Sequence, residues 1–283
     1  MKSPLRAFDC RSSCSREASG PLPGSEDYFF LNSGDCELLG RFLKGMCCRS
    51  RSVLFSIHGA RSDLTAFDPI LYPLQALGLS SLAFNLSGHN AASPISLERS
   101  CLSKNLAEAL RFYEVQPESN AVFGLSMGGA LALKLAEVHE GKIEKIILAC
   151  PAIYPESAYG PAFGDPFRRA ISTPFGFLDS SSLAFLRRFR GTVLLIMGEY
   201  DGLRANDFGY QSGRSVGEVI VNGRSVYSAI PYEVVQAIEG AVSRENIEKI
   251  ILPGCDHGIS AWLRSDPQRQ KRLAERIFNF LDA

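Results

Sequence analysis

The chain has 283 residues, 46% of them hydrophobic, and its 30 basic and 30 acidic residues cancel. That balance gives no general field for nucleic acid or an anionic membrane surface, and no apolar run is long enough to span a bilayer. The hydrophobic fraction suits a globular protein with a large core, and the length suits one large α/β domain.

Residues 1–25 are rich in Ser, Arg, Pro and Gly and read as a loosely ordered arm before a single domain over 26–283. The first residues lack the apolar stretch of a secretory signal, so a cytoplasmic protein is expected. The eight cysteines are scattered along the chain. Cys150 and Cys255 fall in apolar runs and read as buried free thiols of a reducing compartment. Cys10, Cys14, Cys47 and Cys48 have no histidine or second cysteine pair at ligand spacing, so no metal is expected.

Short strands are expected over Tyr28–Leu31 and Glu37–Leu43, split by the turn at Asn32-Ser33-Gly34-Asp35. Val53–Ile57 reads as a buried strand running into His58-Gly59-Ala60-Arg61. A helix near Ala66–Leu77 is interrupted or reset by Pro69 and Pro73. Leu79–Phe84 is the next strand, ending in Asn85-Leu86-Ser87-Gly88-His89-Asn90. Ser100–Val115 places Leu102, Leu106, Ala109, Leu110 and Tyr113 on one helical stripe.

Ala121–Phe123 reads as a strand and Met127–Glu137 as a helix, with Gly124-Leu125-Ser126-Met127-Gly128 between them. Strand, tight turn and helix are the setting that the G-x-S-x-G pattern requires. Glycines two residues before and after the serine remove side chains that would strike the neighbouring strand and helix. The serine hydroxyl is thereby held out over a helix N-terminus, whose free N–H groups and dipole favour negative charge. A glycine-rich turn with an ordinary serine would carry the same five residues, so the reading depends on partners further along the chain.

Ile143–Ala149 is a strand closed by Cys150-Pro151. Over 152–191 the alternation breaks into a small, cap-like excursion of prolines, glycines and aromatics, among them Tyr159, Phe163, Phe167, Phe175 and Phe177. These aromatics are expected to pack on the domain or to line a pocket. Thr192–Met197 restores a strand, followed by Gly198-Glu199-Tyr200-Asp201-Gly202. An extra stretch at 203–227 holds Val219-Ile220-Val221 and the turn Asn222-Gly223, as a β-hairpin would. It is either a surface ornament or part of the active-site face. Helix Pro231–Val242, strand Lys249–Leu252, the loop Pro253–Gly258 and helix Pro267–Leu281 complete the chain. Strands alternating with helices call for a mostly parallel sheet covered on both faces, with ligands bound beyond the carboxyl ends of the strands.

A serine hydroxyl needs a base to take its proton and a third group to orient that base. The order Ser126, Asp201, His257 supplies all three, each after a strand. Asp201 is preferred to Glu199, which lies nearer the strand, and to Asp256, which is adjacent to His257 and points the wrong way to orient it. On His58-Gly59, Gly88-His89, Gly124-Leu125-Ser126-Met127-Gly128-Gly129, Gly198-Glu199-Tyr200-Asp201 and Gly254-Cys255-Asp256-His257-Gly258, the chain resembles the α/β-hydrolase family over roughly residues 35–281. The resemblance implies a mostly parallel sheet of about eight strands with helices on both faces, the triad Ser126–His257–Asp201, and an oxyanion hole from the backbone N–H groups of Ala60 and Met127. It implies no metal or organic cofactor. The family's Asp-x-Arg-Gly-His-Gly loop is Asn85-Leu86-Ser87-Gly88-His89-Asn90 here, so the charged pair that braces it is missing. The expected reaction is cleavage of a small to medium acyl ester, then thioester, then amide, through an acyl-enzyme. The same acyl-enzyme could pass its acyl group to an acceptor, as in an acyltransferase or cyclase. A binding protein on the same fold with a dead site is the alternative of another class, and it has no need of an intact triad.

Overall fold

The computed structural model describes residues 24–34, 36–46, 53–204, 211–212 and 217–283. The arm at 1–23 lies outside the described residues, as do Cys10, Cys14, Cys47 and Cys48 and much of 203–217.

Contiguous apolar runs make strands that are buried on both faces. β3 (Val53–Ile57), β4 (Ser80–Phe84) and β5 (Ala121–Leu125) follow β1 (Glu26–Asn32) and β2 (Glu37–Leu43), and all of β3 and β4 is buried. With β6 (Lys145–Ala149), β7 (Thr192–Gly198) and β11 (Ile247–Leu252) they form one eight-stranded sheet in the order β1-β2-β4-β3-β5-β6-β7-β11. β1 and β2 pair antiparallel, as do β2 and β4, while β3 to β7 and β11 run parallel. The parallel strands therefore all deliver their following loops to one edge.

The helices α1 (Asp68–Ala76), α2 (Leu102–Val115), α3 (Met127–Val138), α6 (Tyr232–Ala241) and α8 (Pro267–Asp282) stand close to the ranges expected from the sequence. At α1 the two prolines act differently. Pro69 opens the helix, where its missing N–H costs nothing, and Pro73 is carried inside it. A 3₁₀ turn at Leu64–Phe67 takes the place of the first residues of the expected helix. Three helices have no counterpart in the sequence reading: α4 (Asp165–Ala170) and α5 (Ser181–Arg188) in the excursion, and α7 (Ile259–Arg264) after the last loop.

The stripe expected on α2 packs on the core, and polar residues join it. Leu102, Ala109 and Tyr113 are buried, but Leu106 and Leu110 are only partly so, and the buried face includes the polar side chains of Asn105 and Glu108. The aromatics of the excursion divide as well. Tyr159 and Phe163 are buried in the core and Phe167 packs against it, whereas Phe175 is 58% exposed and does neither of the things expected of it. In the inserted stretch, β9 (Glu218–Val221) and β10 (Arg224–Tyr227) form an antiparallel hairpin, extended by β8 (Gln211–Ser212) to a small separate sheet.

Candidate active site

Ser126 caps α3 at φ +56°, a left-handed backbone that non-glycine residues rarely adopt. The turn is tight enough to dictate its glycines. A Cβ on Gly124 would stand 2.4 Å from the Gly128 carbonyl oxygen, and one on Gly128 would stand 2.0 Å from the Ile57 carbonyl oxygen. The elbow is tied to the next strand, since Ser126 N–H donates to Ala149 O at 2.9 Å and Ala152 N–H donates to Ser126 O at 3.0 Å.

The loops after β5, β7 and β11 bring three side chains together. His257 Nε2 lies 2.9 Å from Ser126 Oγ, and His257 Nδ1 lies 2.7 Å from Asp201 Oδ2. A carboxylate accepts only, so the Nδ1–H donates to Asp201 and the bare Nε2 faces the serine hydroxyl. The Asp201 side chain is fully shielded from solvent, and its other oxygen accepts from Ile230 N–H at 3.1 Å. The buried Cys150 thiol is a further hydrogen-bond partner of Asp201, and burial with this neighbouring carboxylate keeps it protonated. Burial likewise pushes the Cys255 thiol up to about 12. The two carboxylates passed over in favour of Asp201 have other work. Glu199 accepts from Gly254 N–H, and Asp256 accepts from Tyr227 N–H and Gly258 N–H.

Met127 is the first residue of α3, and Ala60 stands in the loop after β3. That loop presses on the elbow: a Cβ on Gly59 would lie 3.1 Å from Ser126 Cβ. Among the described residues, neither the Ala60 nor the Met127 N–H donates within the protein. Both donors belong to segments fixed before any ligand arrives: Met127 by the elbow's main-chain bonds, and the loop of Ala60 by two histidines. His58 Nδ1 lies 2.7 Å from Gly59 O and its Nε2 accepts Leu86 N–H at 3.0 Å, which sets the neutral Nδ1–H tautomer. His89 Nδ1 accepts Arg61 N–H at 3.2 Å while Nε2 meets Asn105 Oδ1 at 2.8 Å, which sets the opposite tautomer.

The brace missing from the loop after β4 is supplied from α2. Asn105 Nδ2 donates to Ser87 O and to Glu108 Oε2, and the same Glu108 oxygen accepts Ser87 N–H at 3.0 Å. Asn105 and Glu108 are the positioning residues that sequence reasoning passed over. Their signal was there as two polar side chains on an otherwise apolar helical face, facing a loop with too few partners of its own.

Burial drives the His58 pKa down to about 4. A folded pKa below the ordinary value of about 6.5 means that the unfolded chain takes the proton first. The contribution of His58 to stability is therefore intact above about pH 6.5 and is lost as the pH falls towards 4, where it levels off. His89, also lowered by burial, acts in the same direction. Between about pH 7 and pH 5, His58 should cost the parent protein about 2 kcal/mol. Urea unfolding across that range should give a flatter profile for His58→Gln by this amount, and equal slopes would refute the assignment.

Two cavities open beside Ser126. One, of about 430 Å³, is walled by Ile153, Tyr154, Phe177, Ile230 and Val234 and is predominantly apolar. The hairpin closes part of it through Tyr227, whose ring stands edge-on to His257 at 5.4 Å and whose carbonyl accepts His257 N–H at 2.8 Å. The inserted stretch thus touches the histidine directly. The other cavity, of about 440 Å³, lies between the loop after β3 and α7.

A family model described as serine aminopeptidase, S33, matches residues 49–177. No curated protein matches the chain. Among solved structures, a predicted CIB-like hydrolase from Thermoplasma acidophilum aligns with a TM-score of 0.60 at 14% identity, covering 92% of this chain and 99% of that one. The thioesterase domain from the curacin biosynthetic pathway aligns with a TM-score of 0.59 at 18% identity, covering 89% and 99%. Est1E from Butyrivibrio proteoclasticus, bound to ferulic acid, aligns with a TM-score of 0.59 at 17% identity, covering 88% and 98%. At these identities the likeness is one of fold.

Proposed function

We propose that this chain is an α/β-hydrolase and, within that fold, a serine hydrolase that cleaves esters or thioesters of small to medium acyl groups. The observation that carries the reading is the unbroken line from Asp201 through His257 to Ser126, at 2.7 and 2.9 Å. In this reading Ser126 Oγ attacks the acyl carbonyl as His257 Nε2 takes its proton, and Asp201 stabilises the resulting imidazolium. The oxyanion is received by the N–H groups of Ala60 and Met127. Preorganised donors of this kind are each worth about 3–4 kcal/mol of transition-state stabilisation. His257 then returns the proton to the departing alcohol or thiol, and water releases the acyl group from Ser126. The apolar cavity beside Ser126 supports an acyl chain as the occupant, with no cofactor needed for any step.

No helix among the described residues is long and apolar enough to cross a membrane. Cys101, Cys150 and Cys255 are free thiols, which supports a reducing, cytoplasmic setting.

A fluorophosphonate probe followed by mass spectrometry should label the peptide containing Ser126. A panel of p-nitrophenyl esters should then peak at short to medium chains and fall off once the chain outgrows the apolar cavity. A folded protein whose Ser126 stays unlabelled would overturn the reading in favour of a binding protein on this fold.

A further inference from the structure

The cavity between the loop after β3 and α7 differs in chemistry from its apolar neighbour. Its wall includes two arginines, Arg61 and Arg264, against one carboxylate residue, Asp63. Asp63 is turned to its own loop, where one oxygen accepts both the N–H and the hydroxyl of Thr65, at 2.8 and 2.5 Å. Neither arginine forms an ion pair among the described residues, and Arg264 reaches only as far as the Thr65 carbonyl. The same wall holds Ser260, whose Oγ is buried without a hydrogen-bond partner. Arg61 stands at the junction, lining both cavities beside Ser126, and its backbone is fixed there by the bond to His89. Positive charge is therefore in excess next to the nucleophile, two arginines against one carboxylate with no ion pair between them among the described residues, in a concave site that focuses its field.

We propose that this cavity is a subsite for an anionic group, a carboxylate or a phosphate, carried on the leaving-group side of the substrate. This rests on the serine-hydrolase reading, in which the acyl chain takes the apolar cavity and the departing half of the ester takes the other. Guanidinium groups suit the role because their planar, forked donors meet the two oxygens of a carboxylate or phosphate together. The subsite makes a substrate with one apolar and one anionic arm fit across Ser126 in a single orientation.

The test compares three butyrate esters of phenols that differ in one meta substituent: carboxylate, phosphate monoester and carboxamide. In the parent protein the better of the two anionic esters should exceed the carboxamide ester in kcat/KM by about tenfold or more, and the ranking of carboxylate against phosphate identifies the anion. In the double variant Arg61→Gln/Arg264→Gln that ratio should fall towards one. Arg61→Glu should invert it, and Arg61→Lys should restore most of it. Raising the salt to about 0.5 M should shrink the ratio in the parent and leave it unchanged in the double variant.

The carboxamide ester reads the hydrolase assignment separately. If it is hydrolysed and the anionic esters show no advantage in the parent, or if the advantage survives both replacements, the subsite is refuted while the hydrolase stands. If no ester is hydrolysed, titration of 3-hydroxybenzoate against 3-hydroxybenzamide by NMR still decides. Tighter binding of the acid by the parent, lost in the double variant, upholds the subsite, and equal binding of the two refutes it.

Discussion

Ser126→Ala is expected to keep the fold and to lose about four to six orders of magnitude in turnover of a p-nitrophenyl ester. The hydroxyl is the only group removed, and among the described residues its one hydrogen-bond partner is His257 Nε2. The backbone that sets the elbow is unaffected, because its bonds to Ala149 and Ala152 are made by the main chain of residue 126. The cavities and the N–H groups of Ala60 and Met127 remain, so ester binding should change little and the loss should fall on kcat. The measurement is steady-state turnover together with an unfolding curve. Turnover equal to the parent's in a folded variant would remove Ser126 from the mechanism.

Asp201→Asn should cut the chemical rate by up to about ten-thousand-fold with substrate binding roughly intact. The argument lies in what each oxygen of Asp201 already does. Oδ1 accepts Ile230 N–H at 3.1 Å, and Oδ2 accepts the Nδ1–H of His257 at 2.7 Å. An asparagine has one acceptor oxygen, and keeping the Ile230 bond turns its NH₂ towards His257. The imidazole then has to accept at Nδ1 and carry its proton on Nε2, where it can no longer take one from Ser126. Flipping the amide only moves the conflict to Ile230. Glu199→Gln is the control, since Glu199 bonds to Gly254 N–H and touches no member of the triad. If Glu199→Gln produces the loss and Asp201→Asn does not, the acid is misassigned.

The parts of this site that could be read from the sequence were those written as contiguous residues. Val53–Ile57, Ala121–Leu125 and Thr192–Gly198 are apolar runs that only a buried parallel sheet explains, and each ends in the glycine, serine or aspartate that marks a loop at the sheet edge. The glycine at 124 is dictated by Gly128 and Gly129 within the same turn, a local reason, whereas the glycine at 128 is dictated by the Ile57 carbonyl of a distant strand and was legible only through the motif. What stayed hidden depends on pairs far apart in the chain. Asn105 and Glu108 are buried beside the apolar stripe that periodicity identifies, and only the position of the loop carrying Ser87 explains their burial. His58 and His89 were visible as motif residues, but their opposite tautomers follow from partners 28 and 16 residues away. The short helices α4, α5 and α7 span six to eight residues, too few for a helical period to stand out among prolines and glycines. Phe175 went the other way, an aromatic that composition sends inward and the fold leaves in water.

The walls of the two cavities have only Ala60, Arg61, Ser126 and His257 in common. On the proposed reading, the two halves of a cleaved ester have separate doors. The departing alcohol or thiol can leave past Arg264 while the acyl group stays seated among Ile153, Phe177 and Val234. The next reactant enters through the room just vacated, with His257 already waiting as its base. Turnover should follow a ping-pong order, and the choice between hydrolysis and transfer becomes a competition at one entrance. An acceptor resembling the first leaving group competes there on better terms than water, and a large excess of it would run the enzyme backwards into ester exchange.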